Sequence, residues 1–570
     1  MVKRNRLHQI ERDIFRMRKD NVSPQESYLI FYSAAYISYM VKKYYPEAMI
    51  SFNAVNIINK EEDKMIRNFL GEHLKDFSLE DYNQLLQYDV IALKEYLLQL
   101  PYFNREYHNT PDGLMTLANK ILDLKATDVV GDFCSGIGNY SYFSAEHTEA
   151  KLFYQYDVLE YMIVLARIRA NVLKEDPNYA NKRFDIEKRD LLWGEIEVKF
   201  DKIFAHLPFG LRASQIEDFV EYKNSMPLLA TLSKSNSLDW PFMINIYNAL
   251  KDNGCAVVLS TVNTTYNLID KQFRKYFVDN GFIKAVILLP ERLLDNTSVA
   301  TVLYVLGKNT SKEIRMINAS EEYKPSRRES ILTEENLDYI LEAYKGTSAI
   351  DKLVGLEAIK ENDYNLLPDR YLNKIIYENG VALKDIAKIK RGAMLSAFRL
   401  DKISSEVKTD YQYLLLSDIN EGTIAAELNY LTKVDNILSS NIIKENNLVL
   451  SKMGLPFKVA VLDKRKESII ATGNMYIIEI DENKVDPYYL QAFLLSDEGQ
   501  QTLGLESAGV HFSSLGRNAL MNLQVPLPPL AEQKKIGQEL KESLSRLASL
   551  DKELQEIKVK TKNIYKGINK

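Results

Sequence analysis

The chain has 570 residues, and this length predicts several domains, because a single hydrophobic core stops growing at about 250 to 300 residues. Hydrophobic residues make up 46% and charged residues 26% of the chain, an ordinary globular composition that excludes a largely disordered protein. The net charge of −5 gives no sign of nucleic-acid binding from bulk charge, although a local basic patch would suffice for it.

The cysteine content and the N-terminus indicate the cellular compartment. Two cysteines, Cys134 and Cys255, are too few for a disulfide framework and predict a reducing environment. The N-terminal stretch MVKRNRLHQIERDIFRMRKD lacks the apolar core that a signal peptide needs. No stretch approaches the roughly 18 uncharged apolar residues of a membrane span. We therefore expect a cytoplasmic protein without membrane association.

The predicted elements change character along the chain and indicate a multidomain α/β protein. Residues 1–105 carry apolar residues at helical spacing, as in SYLIFYSAAYISYMVKKYYP, and predict a helical domain. Short apolar runs such as VVGDF, KLFYQYD, CAVVLST and TVLYVL alternate with helical stretches and predict an α/β domain over residues 106–350. A connector follows over residues 351–378, and β-rich runs predict an α+β domain over residues 379–530. Leucines three or four apart predict a long coiled-coil-like helix over residues 531–570, or a helix packed on its own domain.

The stretch VVGDFCSGIGNY predicts a strand that enters a glycine-containing turn and then a helix. Gly136 and Gly138 would let the backbone approach a ligand closely, with helix-terminal N–H groups facing it. Ser141 stands where the dinucleotide fingerprint has its third glycine, which disfavours a nicotinamide or flavin enzyme. Cys134 has no second cysteine nearby and no metal-ligand spacing, so no metal site is predicted.

Two acidic residues follow at the ends of the next predicted strands. Asp157 ends the run FYQYD, one strand-helix-strand unit after the glycine turn, where a carboxylate can accept hydrogen bonds from ribose hydroxyls. Asp190 in KRDLLW follows the third strand-like run, where a carboxylate can meet an adenine amino group. Either residue alone could be a solvated loop carboxylate. Because they follow the glycine turn in this order and at this spacing, the two residues together indicate a nucleoside-containing cofactor.

Several ordered motifs together resemble the modification subunit of type I restriction-modification systems, a family of adenine-specific DNA methyltransferases. They run from YHNTPDGLMTLANKIL through DFCSGIGNY, KRDLLW, FDKIFAHLPFG and WPFMINIYNALKDNGCAVVLS to AVILLPERLLDNTSVATVLYVL. The resemblance covers residues 1–372 and implies a Rossmann-like domain that uses S-adenosylmethionine. It implies that the turn from Asp132 to Gly138 holds the methionine part of this cofactor. The other implied cofactor-binding residues are Asp157 at the ribose, Asp190 at the adenine, and Thr110 and Pro111, which shape the pocket.

The segment AHLPFG corresponds to the base-binding loop of that family, which reads Asn-Pro-Pro followed by Phe or Tyr. In the family, the asparagine and a neighbouring carbonyl accept hydrogens from the adenine amino group, and the aromatic ring stacks on the extruded base. Here Pro208 and Phe209 match, while His206 and Leu207 replace the asparagine and the first proline. A neutral imidazole offers one acceptor nitrogen, but a protonated one repels the positive charge that develops during methyl transfer. Two interpretations stay open: an active adenine methyltransferase, and a catalytically degenerate relative that serves as a DNA-recognition or assembly subunit.

Residues 379–570 resemble one target-recognition domain of a type I specificity subunit with its following helix, on the segments VALKDIAKIKRG, YLLLSDI, NNLVLSKMG and NLQVPLPPLAEQKKI. The resemblance implies double-stranded DNA as a partner. One recognition domain reads one half-site, so we expect a homodimer or assembly with another methyltransferase or restriction subunit. The sequence contains no Gly-x-x-x-x-Gly-Lys-Ser/Thr phosphate loop, so cleavage would need another protein. The candidate DNA-binding residues are Lys388, Lys390, Arg391, Lys464, Arg465 and Lys466.

Overall fold

The chain divides into two compact units, unit 1 over residues 1–372 and unit 2 over residues 373–570. The five predicted segments within these units stay predictions. No helix among the described residues is long and apolar enough to cross a membrane. The computed structural model describes residues 23–46, 54–75, 83, 85–99, 109–215, 237–294, 297–309, 311–327, 329–372, 377–432, 434, 436–508 and 514–563.

Helices precede the central sheet of unit 1, and short polar residues define where they begin. Ser23, Asp63 and Asp89 each accept a hydrogen bond from a backbone N–H in the first turn of the helix that follows. The core of these helices continues onto a helix of the α/β domain and includes Ile137 from the glycine turn. The helices are α1 (Pro24–Tyr44), α2 (Ala54–Ile58), α3 (Lys64–His73) and α4 (Val90–Leu98).

The α/β part of unit 1 is built on a sheet of nine described strands in the order β11-β8-β6-β7-β5-β4-β1-β2-β3. Strands β3, β2, β1, β4 and β5 are mutually parallel, whereas β7 runs antiparallel between β5 and β6. The strands are β1 (Val129–Phe133), β2 (Leu152–Asp157), β3 (Arg183–Lys188), β4 (Phe200–His206), β5 (Leu250–Thr261), β6 (Ile283–Leu288), β7 (Thr301–Gly307), β8 (Glu313–Asn318) and β11 (Asp351–Gly355), with β9 (Lys324–Pro325) and β10 (Ser330–Ile331) forming a separate pair.

Helices cover both faces of this sheet, which explains why its strands are apolar on both sides. One core cluster includes Phe133, Phe200 and Trp240, and the cluster on the opposite face includes Phe153 and Phe204. The predicted multidomain α/β fold is confirmed. The helices are α5 (Asp112–Leu122), α6 (Asn139–His147), α7 (Glu160–Leu173), α8 (Asp239–Ala249), α9 (Lys271–Asp279), α10 (Glu334–Lys345), α11 (Leu356–Glu361) and α12 (Asp369–Leu372).

The order of the strands places a crevice at the carboxyl edge of the sheet. The chain moves from β1 to β2 and β3 on one side, and β4 and β5 lie on the other side. Phe133 at the end of β1 is level with Tyr156 on β2 and Ala205 on β4. Ligands of open α/β sheets bind where the strand order reverses in this way. The loops after β1, β2 and β4 therefore meet at one place.

Unit 2 contains two small sheets, of which one has four described strands in the order β13-β23-β20-β21 and the other five in the order β14-β18-β15-β22-β19. The strands of the first are β13 (Ala387–Arg391), β20 (Leu448–Ser451), β21 (Val459–Val461) and β23 (Met475–Ile480), and those of the second are β14 (Ser404–Ser405), β15 (Tyr411–Leu414), β18 (Asn429–Leu431), β19 (Ile442–Ile443) and β22 (Ser468–Ala471).

Short two-stranded pairs and helices complete unit 2, which ends in a long helix. The pairs are β12 (Gly380–Ala382) with β26 (Gln524–Pro526), β16 (Ile419–Asn420) with β17 (Thr423–Ile424), and β24 (Ser507–Ala508) with β25 (Ser514–Leu515). The helices are α13 (Leu383–Ile386), α14 (Ala397–Ile403), α15 (Asn436–Ser439), α16 (Pro487–Leu495), α17 (Asp497–Glu506), α18 (Arg517–Asn522) and α19 (Leu530–Asn563).

Candidate cofactor and base-binding site

The glycine turn after β1 is folded tightly against β2. Gly136 and Gly138 have φ angles of 53° and 75°, in the region that favours glycine. A Cβ on Gly138 would lie 2.3 Å from Oε1 of Gln155, so a larger residue would have to displace the buried Gln155 amide as well as adopt a strained backbone. The N–H of Ser135 donates to the carbonyl of Tyr156 at 3.0 Å and extends the contact with β2. The turn therefore presents its backbone at the carboxyl edge of the sheet.

Asp157, at the end of β2, is tied to this turn. Its Oδ2 accepts the N–H of Gly136 at 2.9 Å, and its Oδ1 accepts the N–H of Leu159 at 2.9 Å. Burial raises the pKa of the Asp157 carboxyl above its ordinary value. Each carboxylate oxygen can accept a further hydrogen bond, so the group can still bind a ligand hydroxyl.

Asp132 supports the turn from within the core. Its Oδ2 accepts the N–H of Ser141 at 3.1 Å and the hydroxyl of Ser141 at 2.8 Å. Burial raises the pKa of Asp132 to about 7. Ser141, where the dinucleotide fingerprint would have a glycine, thus anchors the first turn of α6 to strand β1. In the sequence, Ser141 was notable only because it replaces the third glycine of the dinucleotide fingerprint.

The third predicted acid, Asp190, follows β3 and is half-buried. Its Oδ1 accepts the N–H of Leu192 at 2.8 Å, which fixes the turn KRDLLW. Burial raises the pKa of the Cys134 thiol, and the negative charges of Asp157, Asp132 and Asp190 raise it further. The three predicted carboxylates therefore surround the glycine turn. Among the described residues no group of three His, Cys, Asp or Glu side chains is placed to hold a metal ion.

The base-binding loop begins where β4 ends, at His206. Nδ1 of His206 lies 2.9 Å from Oγ1 of Thr110, which is buried beside the start of α5. Leu207 is buried and donates its N–H to the carbonyl of Leu259 at 3.2 Å, so this residue continues the pairing with β5. The ring of Phe209 lies 5.3 Å from the His206 ring at an angle of 49°. Pro208 is exposed, and Pro111 occupies the position before the first residue of α5 without a side-chain capping hydrogen bond.

Asn139, the first residue of α6, joins the two loops and was not singled out by sequence reasoning. Its Nδ2 donates to the carbonyl of Thr110 at 3.3 Å. Thr110 thus contacts the helix after the glycine turn through its carbonyl and His206 through its hydroxyl. The signal that could have identified Asn139 is its place at the start of the helix that follows the turn.

Arg169, on α7, is a second residue that the sequence did not mark. Its Nη1 donates to the carbonyl of Ile137 in the glycine turn at 2.9 Å, and its Nη2 donates to the carbonyl of Leu98 at 3.4 Å. The guanidinium lies 5.0 Å from the ring centre of Tyr142. A buried arginine therefore connects the end of α4 with the glycine turn. The available signal was an arginine at the end of the apolar stretch MIVLARIR, which also contains Arg167.

Comparison with known proteins agrees with this geometry. Residues 95–379, half of the chain, match the family described as N-6 DNA Methylase. The chain belongs to the N-6 DNA methylase family. Residues 379–559 match the type I restriction modification DNA specificity domain. The resemblance to a modification subunit joined to a recognition domain is confirmed.

Individual relatives of this N-6 DNA methylase family member are distant. The chain is 31% identical over 201 residues to the type I restriction enzyme MjaVIII methylase subunit of Methanocaldococcus jannaschii, a match over 33% of this chain and 34% of that protein. It is 27% identical over 351 residues to the MjaVII methylase subunit of the same organism, over 57% of this chain and 59% of that protein. The matched region thus spans less than two thirds of either relative. The crystal structure of the type IIG restriction endonuclease BpuSI shares the fold with a TM-score of 0.50 at 13% identity, over 94% of this chain and 75% of that one.

In the specificity domain of this N-6 DNA methylase family member, the predicted DNA-binding residues have different surroundings. Nζ of Lys390 pairs with Glu479 at 2.6 Å. The Arg465 guanidinium donates to three backbone carbonyls, and burial lowers the pKa of Arg465. Nε of Arg391 donates to the carbonyl of Gly473 at 3.1 Å. The other three candidates, Lys388, Lys464 and Lys466, are exposed.

The tight fit at Gly138 predicts a large effect of a single methyl group. We expect Gly138→Ala to lower the free energy of unfolding of unit 1 by about 2 to 4 kcal/mol, through backbone strain and the clash with Gln155. Gly194→Ala is the matched control, because Gly194 has a φ of 76° but no atom within 4 Å of its Cβ position, and we expect a loss of about 1 kcal/mol. The measurement is urea unfolding followed by the fluorescence of Trp193 and Trp240, the two tryptophans of the chain. Equal losses in the two variants would contradict the clash.

The raised pKa of Asp132 predicts a pH dependence of stability. The pKa rises from 3.8 to about 7 on folding, so between these values the folded protein holds a proton that the unfolded chain has released. The stabilising contribution of Asp132 is therefore complete below pH 4, is lost as the pH rises towards 7, and stays lost above it.

An Asp132→Asn variant tests this dependence, since the amide oxygen can still accept both hydrogen bonds from Ser141. We expect the variant to gain about 2 kcal/mol relative to wild type between pH 5 and pH 7.5, measured by urea unfolding with tryptophan fluorescence. The unpaired amide N–H group of the variant adds a cost that does not vary with pH. A difference between the two proteins that stays constant with pH would show that Asp132 does not titrate in this range.

Proposed function

We propose that the chain recognises a specific sequence in double-stranded DNA through residues 379–559 and transfers a methyl group from S-adenosylmethionine to the amino nitrogen of an adenine. The observation that carries this proposal is the 2.9 Å contact between Thr110 Oγ1 and His206 Nδ1. It joins the Thr-Pro segment to the base-binding loop, directly beside the glycine turn. We propose that His206, Leu207, Pro208 and Phe209 hold the target base.

The residues around the glycine turn fit the proposed cofactor. S-adenosylmethionine, when bound, supplies a methyl group on a positively charged sulfonium. The carboxylates of Asp157 and Asp190 give this edge of the sheet a negative field, which favours a cationic ligand. Oγ of Ser135 is buried without a hydrogen-bond partner among the described residues, so it is suited to bind a polar ligand atom. We propose that Asp157 binds the ribose, Asp190 the adenine, and the backbone of Gly136 and Gly138 the methionine part.

The hydrogen bond between Thr110 and His206 decides what His206 can do with a base. If Nδ1–H donates to Thr110 Oγ1, a neutral imidazole presents Nε2 as an acceptor, which an adenine amino group requires. If instead the Thr110 hydroxyl donates to Nδ1, the proton lies on Nε2 and the acceptor is lost. We propose the first arrangement, with the carbonyl of Leu207 as the second acceptor and the ring of Phe209 stacked on the base.

An imidazole is a poorer acceptor for this reaction than the asparagine that the family places here. It offers one acceptor on a wider ring, and protonation would bring a positive charge close to the nitrogen that becomes positive during transfer. The loss of one well-placed polar group commonly slows a reaction by about two orders of magnitude. We therefore propose slow methylation by the natural sequence.

Single-molecule sequencing of DNA from a methylation-free host that expresses the protein tests the proposal. We expect modified adenines in a recurrent sequence at low occupancy with wild type. His206→Asn combined with Leu207→Pro should raise the rate of methylation about a hundredfold. Thr110→Val, which removes the hydroxyl but keeps the side-chain shape, should reduce wild-type methylation below detection.

A second candidate function is a DNA-reading or assembly subunit without catalysis, and the presence of His206 and Leu207 in the base-binding loop favours it. The two candidates differ in one outcome. If neither wild type nor the double variant modifies adenine while both bind DNA, methyl transfer is wrong and the DNA-reading function stands. Two cysteines without a disulfide, Cys134 and Cys255, support a cytoplasmic location for either function.

We also propose that the chain forms a homodimer, or pairs with another methyltransferase or restriction subunit, through α19. Four apolar side chains on this helix are between 43% and 52% exposed and repeat with spacings of three, four and three residues. That spacing is typical of a coiled-coil seam, and pairing would bury it. A dimer would present two recognition domains to two half-sites. The four residues are Leu547, Leu550, Leu554 and Ile557.

Light scattering after gel filtration measures this assembly in the full chain, whose monomer mass is 65.6 kDa. We expect twice that mass for wild type and the monomer mass for Leu550→Lys combined with Leu554→Lys, because charges in the seam prevent pairing. Ser549→Lys combined with Gln555→Lys is the matched control, since it adds the same charge outside the seam and should leave the dimer intact. A monomeric wild type would point to a different subunit as the partner.

A further inference from the structure

Arg391 and the second predicted basic cluster, residues 464–466, lie at opposite ends of the four-stranded sheet of unit 2, whereas Lys388 is opposite Glu479 near the end where β20 begins. Strand β20 pairs with β23 so that Ser451 is opposite Met475, and Arg391 on β13 is opposite Tyr476 at the same end. At the other end, Leu448 is opposite Val461, after which the chain runs into residues 464–466. Leu448 and Ser451, which mark the two ends on β20, are three residues apart, or about 10 Å along the strand. We call the first end, formed by residues 391–396, 452–456 and 472–474, the Arg391 surface, and residues 463–467 the Lys464 turn.

Acidic side chains and internal hydrogen bonds dominate the surroundings of the Lys464 turn. The guanidinium of Arg465 is occupied by backbone carbonyls. The hydroxyl of Tyr488 donates to Asp463, and burial together with the charges of Asp463, Asp486 and Glu445 raises the pKa of Tyr488. Asp463 and Glu467 stand on either side of the two lysines in the chain, and their negative charges act on Arg465. A phosphate backbone would meet little net positive charge there.

The Arg391 surface has the opposite electrostatic character. Arg391, Lys452 and Arg517 have no carboxylate within ion-pair distance in the part of the chain that the structure describes. The backbone N–H of Lys452 donates to the carbonyl of Asn474 at 2.8 Å, and Nε of Arg391 donates to the carbonyl of Gly473 at 3.1 Å. Both cations thus lie beside one turn.

Two cations held close together without an acid favour binding of an anion. Burial lowers the pKa of Lys452, and the positive charge of Arg391, which contacts the same turn, lowers it further. Arg517 adds to this positive region, because its charge and that of Arg391 both act on the hydroxyl of the buried Tyr476. Neutralisation of these charges by phosphate would release counterions from the DNA and contribute to affinity.

Apolar side chains stand beside these cations and are exposed to solvent. Met394, Met453 and Leu455 are between 41% and 68% exposed. Exposed apolar groups of this size, next to positive charge, are characteristic of an interaction surface rather than of ordinary solvated loops. In DNA recognition, cations bind phosphates while apolar groups contact thymine methyl groups or base edges in a groove. The mixture of residues fits this division of roles.

We propose that the Arg391 surface is the part of unit 2 that contacts duplex DNA, with Arg391 and Lys452 at phosphates and Met394 and Met453 towards a groove. This inference rests on the proposed DNA-binding function and deepens it. The inference keeps only Arg391 of the six predicted DNA-binding residues and adds Lys452. It places the Lys464 turn away from the duplex. Residues 391–396 and 452–456 together, rather than either predicted basic cluster alone, form the contact.

Fluorescence anisotropy with a short labelled duplex of mixed sequence, measured with the full chain over a range of salt concentrations, tests the inference. We expect Arg391→Gln combined with Lys452→Gln to weaken binding at least tenfold and to reduce the slope of log affinity against log salt by about 2. Lys464→Gln combined with Lys466→Gln removes the same charge at the other end and should change affinity less than about twofold. Met453→Asp adds a charge at an exposed position without disturbing the core and should weaken binding about tenfold.

The possible failures can be told apart. If wild type does not bind the duplex, the proposed function fails together with this inference. If wild type binds and the Arg391 and Lys452 double variant binds equally well, only the Arg391 surface is wrong, and that surface faces a protein partner instead. If the Lys464 and Lys466 variant weakens binding more than the Arg391 and Lys452 variant does, the contact lies at the opposite end of the sheet. Circular dichroism of each variant excludes misfolding as the cause.

Discussion

The close packing of the glycine turn on strand β2 is the constraint on which the rest of the site depends. A Cβ on Gly138 would displace the amide of Gln155, and Gly136 donates its N–H to Asp157. Because β1 and β2 are parallel and in register, these contacts hold the turn at the carboxyl edge of the sheet. The start of α6 is then close enough for Asn139 to bind Thr110, and Thr110 in turn reaches His206.

Burial of charge explains the electrostatics of the same edge. Removing a carboxylate from water without a cationic partner disfavours its ionised form, which is why Asp132 and Asp157 have raised pKa values although they accept hydrogen bonds from serine and from backbone N–H groups. In the proposed function, a bound cationic cofactor would offset this cost. Arg169 lies behind the turn, where its guanidinium binds carbonyls instead of these acids.

Much of the α/β domain could be predicted because its signals are local. The runs VVGDF, KLFYQYD and CAVVLST became β1, β2 and part of β5, since apolar runs bounded by turn residues form buried strands. The order of motifs also identified the family. Ser141 and Asn139 were missed, because their roles depend on Asp132 nine residues away and on Thr110 twenty-nine residues away. No periodicity in the sequence encodes such contacts.

The sequence by itself determined the family, the strand-turn-helix motif and the replacement of asparagine by His206, because these depend on residue types at short spacing. The tertiary structure alone decided which charges and hydrogen-bonding groups are available. Lys390 and Arg391 are neighbours in sequence, yet one pairs with Glu479, eighty-nine residues away, while the other faces the turn at Gly473. The physical reason is that strands present successive side chains to opposite faces, and the partner on each face comes from a distant part of the chain.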